Sequence, residues 1–516
     1  MKKFVASIVT FQLFFSLAIP LTSAQAVTPP PSTAAITSLK QNIQKTIDAN
    51  KEQIQAVGAY IVDEKGTVLF STNPDKLYPP ASNLKLYVAA AALERLGADF
   101  KTKTSVYAFK PDTNGVIKGD VILYGRGEYN LSGRFNQGDS LQPFQLLVQQ
   151  LKQRGVKEIQ GNVVGDDSYF DSSLVGDGIA QADLQWYYGA EVSALSVGDN
   201  SMKIKVMPGT KAGSTATTTM TPPNSFVTIV NKVQTVAKGK QQNLEIKRGL
   251  QDNIFEISGS IPMGDAGRTF NMAVHNPPLF AATLFKDVLQ KNGIKVTGKS
   301  IAMTAKERKT EPLVLTKYTE MASLTSVPLQ EEVKIMMKES NNLHAELLLR
   351  LMGANLRDVF MSQGGVSREA LPTIEKIGII CVKDFLNRAH IDYKVLAIAD
   401  GAGLSEKDFV TAKTTYKLMR YLQDQPYSAL FFDAFPIAGV DGTLKNRFVD
   451  TKISGKLRGK TGTLDNVSAL SGYLSLKEDK KIYFSIMAVH KDPNVSGSKL
   501  VIDPIITTLA DYQQSL

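Results

Sequence analysis

Pro79-Pro80-Ala81-Ser82-Asn83-Leu84-Lys85 opens an alanine- and leucine-rich run that continues to Leu96, and its reading decides the fold. The two prolines halt regular structure, Ser82 follows at once, and Asn83 to Leu96 has helical composition with Gly97 as its stop. A serine at a helix start presents its side chain at the open end, where backbone N–H groups face incoming negative charge. Lys85 lies three residues on, on the same helical face and within reach of Ser82. That spacing suits a nucleophile and its base, provided that desolvation or a second cation keeps the lysine neutral. Alone, the pattern reads better as a helix N-cap followed by a solvated lysine. An S-x-x-K arises by chance about twice in a chain of this length, and Ser496-Gly497-Ser498-Lys499 is a second one.

Two further motifs follow in order. Ser340-Asn341-Asn342 interrupts an apolar helical pattern (Val333, Ile335, Met336, then Leu343, Leu347, Leu348) with residues unfavourable to helix. It reads either as a turn between two helices or as a functional break, in which Ser340 relays a proton to a leaving amine while Asn342 orients Lys85 and holds a substrate amide. Lys460-Thr461-Gly462-Thr463 reads as the first of three closing strands. Alternation sends Lys460 and Gly462 to one face and Thr461 and Thr463 to the other, and Gly462 admits close backbone approach. Its plain reading is an exposed strand start. Its functional reading is a sheet edge that pairs with an extended peptide, with Lys460 and a threonine hydroxyl taking the terminal carboxylate. Lys460 is also the cation expected to lower the pKa of Lys85, and the N–H groups of Ser82 and Thr463 are the expected oxyanion hole. Ser71-Thr72-Asn73 is a second S-x-N. Order, helical context and the single K-T-G set the first group apart from such decoys.

Outward from the motifs, the stretch between Lys85 and Ser340 is far longer than a loop can be and must hold whole domains. Short strand-like runs at 116–123, 159–164, 202–206, 227–230 and 254–257 dominate it, with helical pattern at 144–153 and 278–292. The expectation is a multidomain α+β or α/β protein. Residues 36–100 and 313–516 form a discontinuous catalytic domain of antiparallel sheet and helices, and a β-rich region over 101–312 interrupts it as two nested modules that change near Val192 to Asn200. A helix is expected over 36–50, a hairpin over 56–72 turning at Glu64-Lys65-Gly66, and a helix through Glu332 to Met352. Strands at 468–476 and 481–490 turn at Glu478-Asp479-Lys480, and a last helix over 502–513 covers the sheet.

Residues 1–26 read as an export signal: Lys2 and Lys3, an apolar run from Phe4 to Ile19, and Ala24-Gln25-Ala26 as the cleavage site. Residues 27–35 are then a linker, and the mature protein belongs in the periplasm or the extracellular wall space. The net charge of +10, two of it from Lys2 and Lys3, suits peripheral association with an anionic wall or lipid surface. Nucleic acid is disfavoured, because no basic run interleaves with aromatics. Cys381 is the single cysteine, so no internal disulfide forms, and it reads as a small buried residue beside Ile379 and Ile380. His275, His344, His390 and His490 lack metal-ligand spacing, and no cofactor or metal is expected.

The motif set, with Ser340 to Glu346 (SNNLHAE), Asp400 to Ser405 (DGAGLS), Gly439 to Arg447 (GVDGTLKNR) and the long insertion, resembles the class C low-molecular-mass penicillin-binding proteins, the S13 family of D-alanyl-D-alanine carboxypeptidase/endopeptidases, over nearly the whole mature chain. The resemblance implies a transpeptidase-like domain split by inserted domains. It also implies a serine peptidase cutting D-Ala-D-Ala or a D-amino-acid cross-link in peptidoglycan, with β-lactams acylating Ser82 as substrate mimics. One departure stands out: where the family has G-x-G-D-P-x-L, Gly125 to Leu131 reads GRGEYNL, which puts the local turn in doubt. A serine β-lactamase shares the three motifs, but the chain has no E-x-x-L-N stretch and carries a large insertion. A silent wall-binding module is the alternative of another class, against which intact Ser82, Lys85 and Lys460 argue.

Overall fold

The computed structural model describes residues 33–363, 370–477 and 480–515. Its centre is a five-stranded antiparallel sheet in the order 457–464, 467–477, 480–490, 54–63, 68–72. Ala469 and Met487 join the core around the helix Leu84–Leu96, while their neighbours Leu470 and Ile486 join the core under the helices Thr33–Ala49 and Asp503–Ser515. The sheet is therefore buried on both faces, as period-two alternation of apolar residues on adjacent positions requires. Lys460-Thr461-Gly462-Thr463 lies in the strand Leu457–Leu464, at one edge.

Differences from expectation are mostly at ends and breaks. The first helix begins at Thr33, inside the expected linker, and the rest of that linker and the export signal lie outside the described residues. Glu478 and Asp479 of the expected turn also lie outside them. The helix expected through 332–352 is two helices, Leu329–Glu339 and Asn342–Ser362, separated where Ser340 takes a left-handed φ of 57°. Cys381 is buried. Among the described residues no helix is long and apolar enough to cross a membrane.

Between the first two motifs run four further sheets, one of five strands and three of three. The runs at 116–123 and 159–164 are each two short strands, 116–118 with 121–124 and 158–160 with 163–166, and the members of each pair sit in different sheets. Packing forces the breaks: a Cβ on Gly161 would stand 2.1 Å from the Gly119 carbonyl oxygen, and Asp120 accepts from the Asn162 N–H at 2.7 Å. The strand Thr319–Thr325 pairs with Lys103–Ala108, so this region's five-stranded sheet draws on residues beyond 312. The GRGEYNL turn is well held. Gly127 donates to Ala194 at 2.8 Å, buried Glu128 accepts from the Asn130 N–H at 3.0 Å, and Asn130 accepts from Val327 at 3.1 Å.

Candidate active site

Ser82 lies in a 3-10 turn, Ala81–Asn83, that feeds directly into the helix Leu84–Leu96. Ala81 has a φ of +47°, which an L-residue adopts only when its surroundings impose it. Gly403 packs so close that a Cβ there would stand 1.9 Å from the Ala81 carbonyl oxygen. From the other side Gly462 faces the turn, and a Cβ on it would meet the Pro80 carbonyl oxygen and the Asn83 amide at 2.8 Å. Two glycines thus let backbone close on the Ser82 turn from both sides, leaving Ser82 half-buried.

Lys85 is fully buried, and its Nζ touches three atoms: Ser82 Oγ at 2.9 Å, Asn342 Oδ1 at 2.7 Å and the Ala402 carbonyl oxygen at 2.8 Å. Asn342 Oδ1 and the Ala402 oxygen can only accept. A neutral amine has two N–H groups for those two, and its lone pair is then left for the Ser82 hydroxyl. Burial lowers the Lys85 pKa to about 7, winning over the charges of Asp400 and Glu346, which raise it.

Lys460 is also fully buried, donating to Ser340 Oγ at 2.8 Å and to the Thr461 carbonyl at 2.9 Å. Burial, then the charge of Lys85, lowers its pKa well below the ordinary lysine value. Burial is the first cause of the depression at both lysines, and a charge on either disfavours a charge on the other.

Ser340 and Asn342 flank the break between the two helices, so the turn between helices and the chemical site are the same feature. The Asn342 amide nitrogen donates to the Tyr188 carbonyl at 2.8 Å, which ties the motif to the inserted region and leaves one amide hydrogen for a ligand. On the motif strand, Lys460 and Gly462 are buried while Thr461 and Thr463 point outward, and Thr461 Oγ1 is 2.6 Å from Thr443 Oγ1. Gly459 donates outward, to the Pro436 carbonyl at 3.1 Å. Every second residue of a strand turns its N–H to the same side, so the N–H groups of Thr461 and Thr463 face that same edge beyond the cover of residue 436.

A family model for the D-Ala-D-Ala carboxypeptidase 3 (S13) family matches residues 39–508. The chain belongs to that family. It is similar to a D-alanyl-D-alanine carboxypeptidase of Actinomadura sp. (strain R39), 30% identical over 98% of this chain and 90% of the relative. It also matches the carboxypeptidase DacB of Haemophilus influenzae, 25% identical over 78% and 79% of the two chains. The crystal structure of penicillin binding protein 4 (dacB) from H. influenzae shares the fold, with a TM-score of 0.75 and 22% identity over 91% of this chain and 99% of that one. The chain is thus a serine-type D-Ala-D-Ala peptidase with the fold of a penicillin-binding protein.

The geometry brings together Ser82, Lys85, Ser340, Asn342 and Lys460, and the edge carrying Thr461, Gly462 and Thr463 lies beside them. Sequence reasoning missed Tyr188, Ala402 and Thr443, which act through a backbone carbonyl or a hydroxyl and leave no pattern. It also gave no role to Asp400 and Glu346, although both lie in quoted stretches.

Proposed function

We propose that this chain acts on peptidoglycan, removing terminal D-alanine from stem peptides and cutting D-amino-acid cross-links through an ester on Ser82. Lys85 takes the Ser82 proton as Oγ attacks the carbonyl carbon between the two D-residues. The N–H groups of Ser82 and Thr463 hold the oxyanion. The leaving amine collects a proton through Ser340, which Lys460 steadies, and departs; water then hydrolyses the ester with Lys85 again as base. The substrate lies along the strand Leu457–Leu464 as an added strand, its terminal carboxylate held by Lys460 and a threonine hydroxyl of the motif. β-Lactams enter the same route and stop at the ester. The export signal and the basic charge support action outside the cytoplasm, in the periplasm or wall space, with loose association to anionic surfaces.

The observation that carries this reading is the three-way contact of buried Lys85, in which a neutral amine has its lone pair free for the Ser82 hydroxyl. The test is to digest purified muropeptides, identify the products by mass spectrometry, and map the adduct left by a penicillin. Released D-alanine or resolved cross-links, with the adduct on Ser82, support the proposal. Binding of intact muropeptides with no product and no adduct would make the chain a wall-binding module.

A further inference from the structure

Asp400 and Asp408 lie beneath the Ser82–Lys85 pair, both completely buried, and neither makes an ion pair among the described residues. Asp400 is wrapped by the loop that follows it. One oxygen accepts from the N–H groups of Ala402 and Gly403 at 2.9 and 2.6 Å, the other from Leu404 and Ser405 at 2.9 and 2.8 Å. Four donors converging on one carboxylate fill the acceptor sites of its ionised form. That wrapping turns the Ala402 carbonyl toward Lys85 and brings Gly403 against Ala81. Asp408 is different: one oxygen accepts from the Ala399 N–H at 2.7 Å, and the other meets no donor among the described residues. Two adjoining buried carboxylates cannot both ionise cheaply, and the pair resolves with the charge on the one that has the donors.

We propose that Asp400 is a positioning residue for the Lys85 base, acting as an ionised carboxylate beside a protonated Asp408. Burial and the charge of Asp400 push Asp408 up to about 10, in keeping with that division. The other charged groups around the pair and Lys85 are accounted for. Glu346, on the helix Asn342–Ser362, accepts from the Gly401 N–H and is ion-paired with Arg350, which Glu375 also contacts. Lys460 approaches from the motif strand. The Asp400 charge favours the ammonium form of Lys85, so it keeps the base from falling below neutrality while the loop fixes its direction.

This inference rests on Lys85 being the base, which Lys85→Arg and Lys85→Ala test separately. The experiment for the inference is the pH profile of Ser82 acylation by a fluorescent penicillin in Asp408→Asn and in the double variant Asp400→Asn/Asp408→Asn. In Asp408→Asn the ascending limb keeps its midpoint, because a neutral group replaces a neutral group. In the double variant the midpoint moves to lower pH by about one unit or more, because an anion near Lys85 is lost. A downward shift in Asp408→Asn would overturn the assignment, and so would an unmoved limb in the double variant. Should the double variant fail to fold, infrared difference spectra decide between the two carboxyls. A protonated-carboxyl carbonyl band at neutral pH in the wild type that vanishes in Asp408→Asn supports the proposal, and no such band refutes it.

Discussion

Lys460 donates to Ser340 Oγ across 2.8 Å, joining an edge strand to an interhelical turn 120 residues away. The contact matters because Lys460 is fully buried and its charge is disfavoured by burial and by Lys85. An arriving carboxylate reverses that balance and restores the ammonium. On a peptide ending in D-Ala-D-Ala, Lys460→Ala should therefore lower kcat/KM by about 10- to 100-fold, a charge-assisted bond's worth of about 1.5 to 3 kcal/mol. A substrate amidated at its C-terminus should lose less. Equal losses on both would remove the carboxylate clamp.

Ser82→Ala should abolish peptide hydrolysis and covalent penicillin labelling together. Ser496→Ala should change neither, because Ser496 Oγ accepts from the Lys499 N–H at 3.4 Å in a surface turn and Lys499 is exposed. A fluorescent band after denaturation of Ser82→Ala would mean another nucleophile.

Gly403 sits at φ +79°, with no room for a Cβ against the Ala81 carbonyl. Gly403→Ala should displace the Ser82 turn at a cost of about 1 to 3 kcal/mol of strain. The measurable outcome is acylation slowed at least about tenfold in a protein that keeps its far-UV circular dichroism. Wild-type acylation would show that the loop does not seat the nucleophile.

His344, just after the second motif, is buried between Asp199, 3.1 Å from Nε2, and Glu332, 2.7 Å from Nδ1, the latter an ion pair whose N–H is not aligned on the oxygen. Burial alone would lower its pKa, but the two carboxylates outweigh it and push it up to about 10. A histidine raised on folding stabilises fully below its unfolded value, and that stability is lost as pH rises toward the folded value. The urea-unfolding difference between wild type and His344→Asn should be largest near and below about pH 6.5 and shrink toward about pH 10. A difference that stays constant over that range would contradict the paired imidazolium.

The candidate catalytic groups were legible in the sequence because their spacing carries chemistry. Ser82, in the turn that leads into the helix, and Lys85, three residues on, meet side chain to side chain, and Lys460 and Gly462 share a strand face. The closing strands were legible from alternation, since Ala469 and Leu470 pack into opposite cores. What escaped was set by tertiary packing. Nothing local says that Gly119 and Gly161 pack against each other and split two apolar runs into four strands, or that Thr319–Thr325 pairs back to Lys103–Ala108. Ser-Asn-Asn was legible as a break, but only the fold shows that the left-handed Ser340 turn delivers one residue to Lys460 and another to Lys85. Asp400 was visible as part of a quoted stretch, yet its partners are backbone N–H groups, which no residue pattern reports.

In the proposed mechanism neutral Lys85 takes the Ser82 proton. Activity then requires the deprotonated amine, so the rate rises with pH along a limb whose midpoint lies near 7, where burial places Lys85, rather than at the ordinary lysine value. Arginine stays charged and cannot substitute. The measurement is the pH dependence of Ser82 acylation by a penicillin in wild type, Lys85→Ala and Lys85→Arg. The wild type should show an ascending limb near neutrality, and both variants should lose acylation almost completely; near-normal acylation in either variant would mean that another group takes the proton.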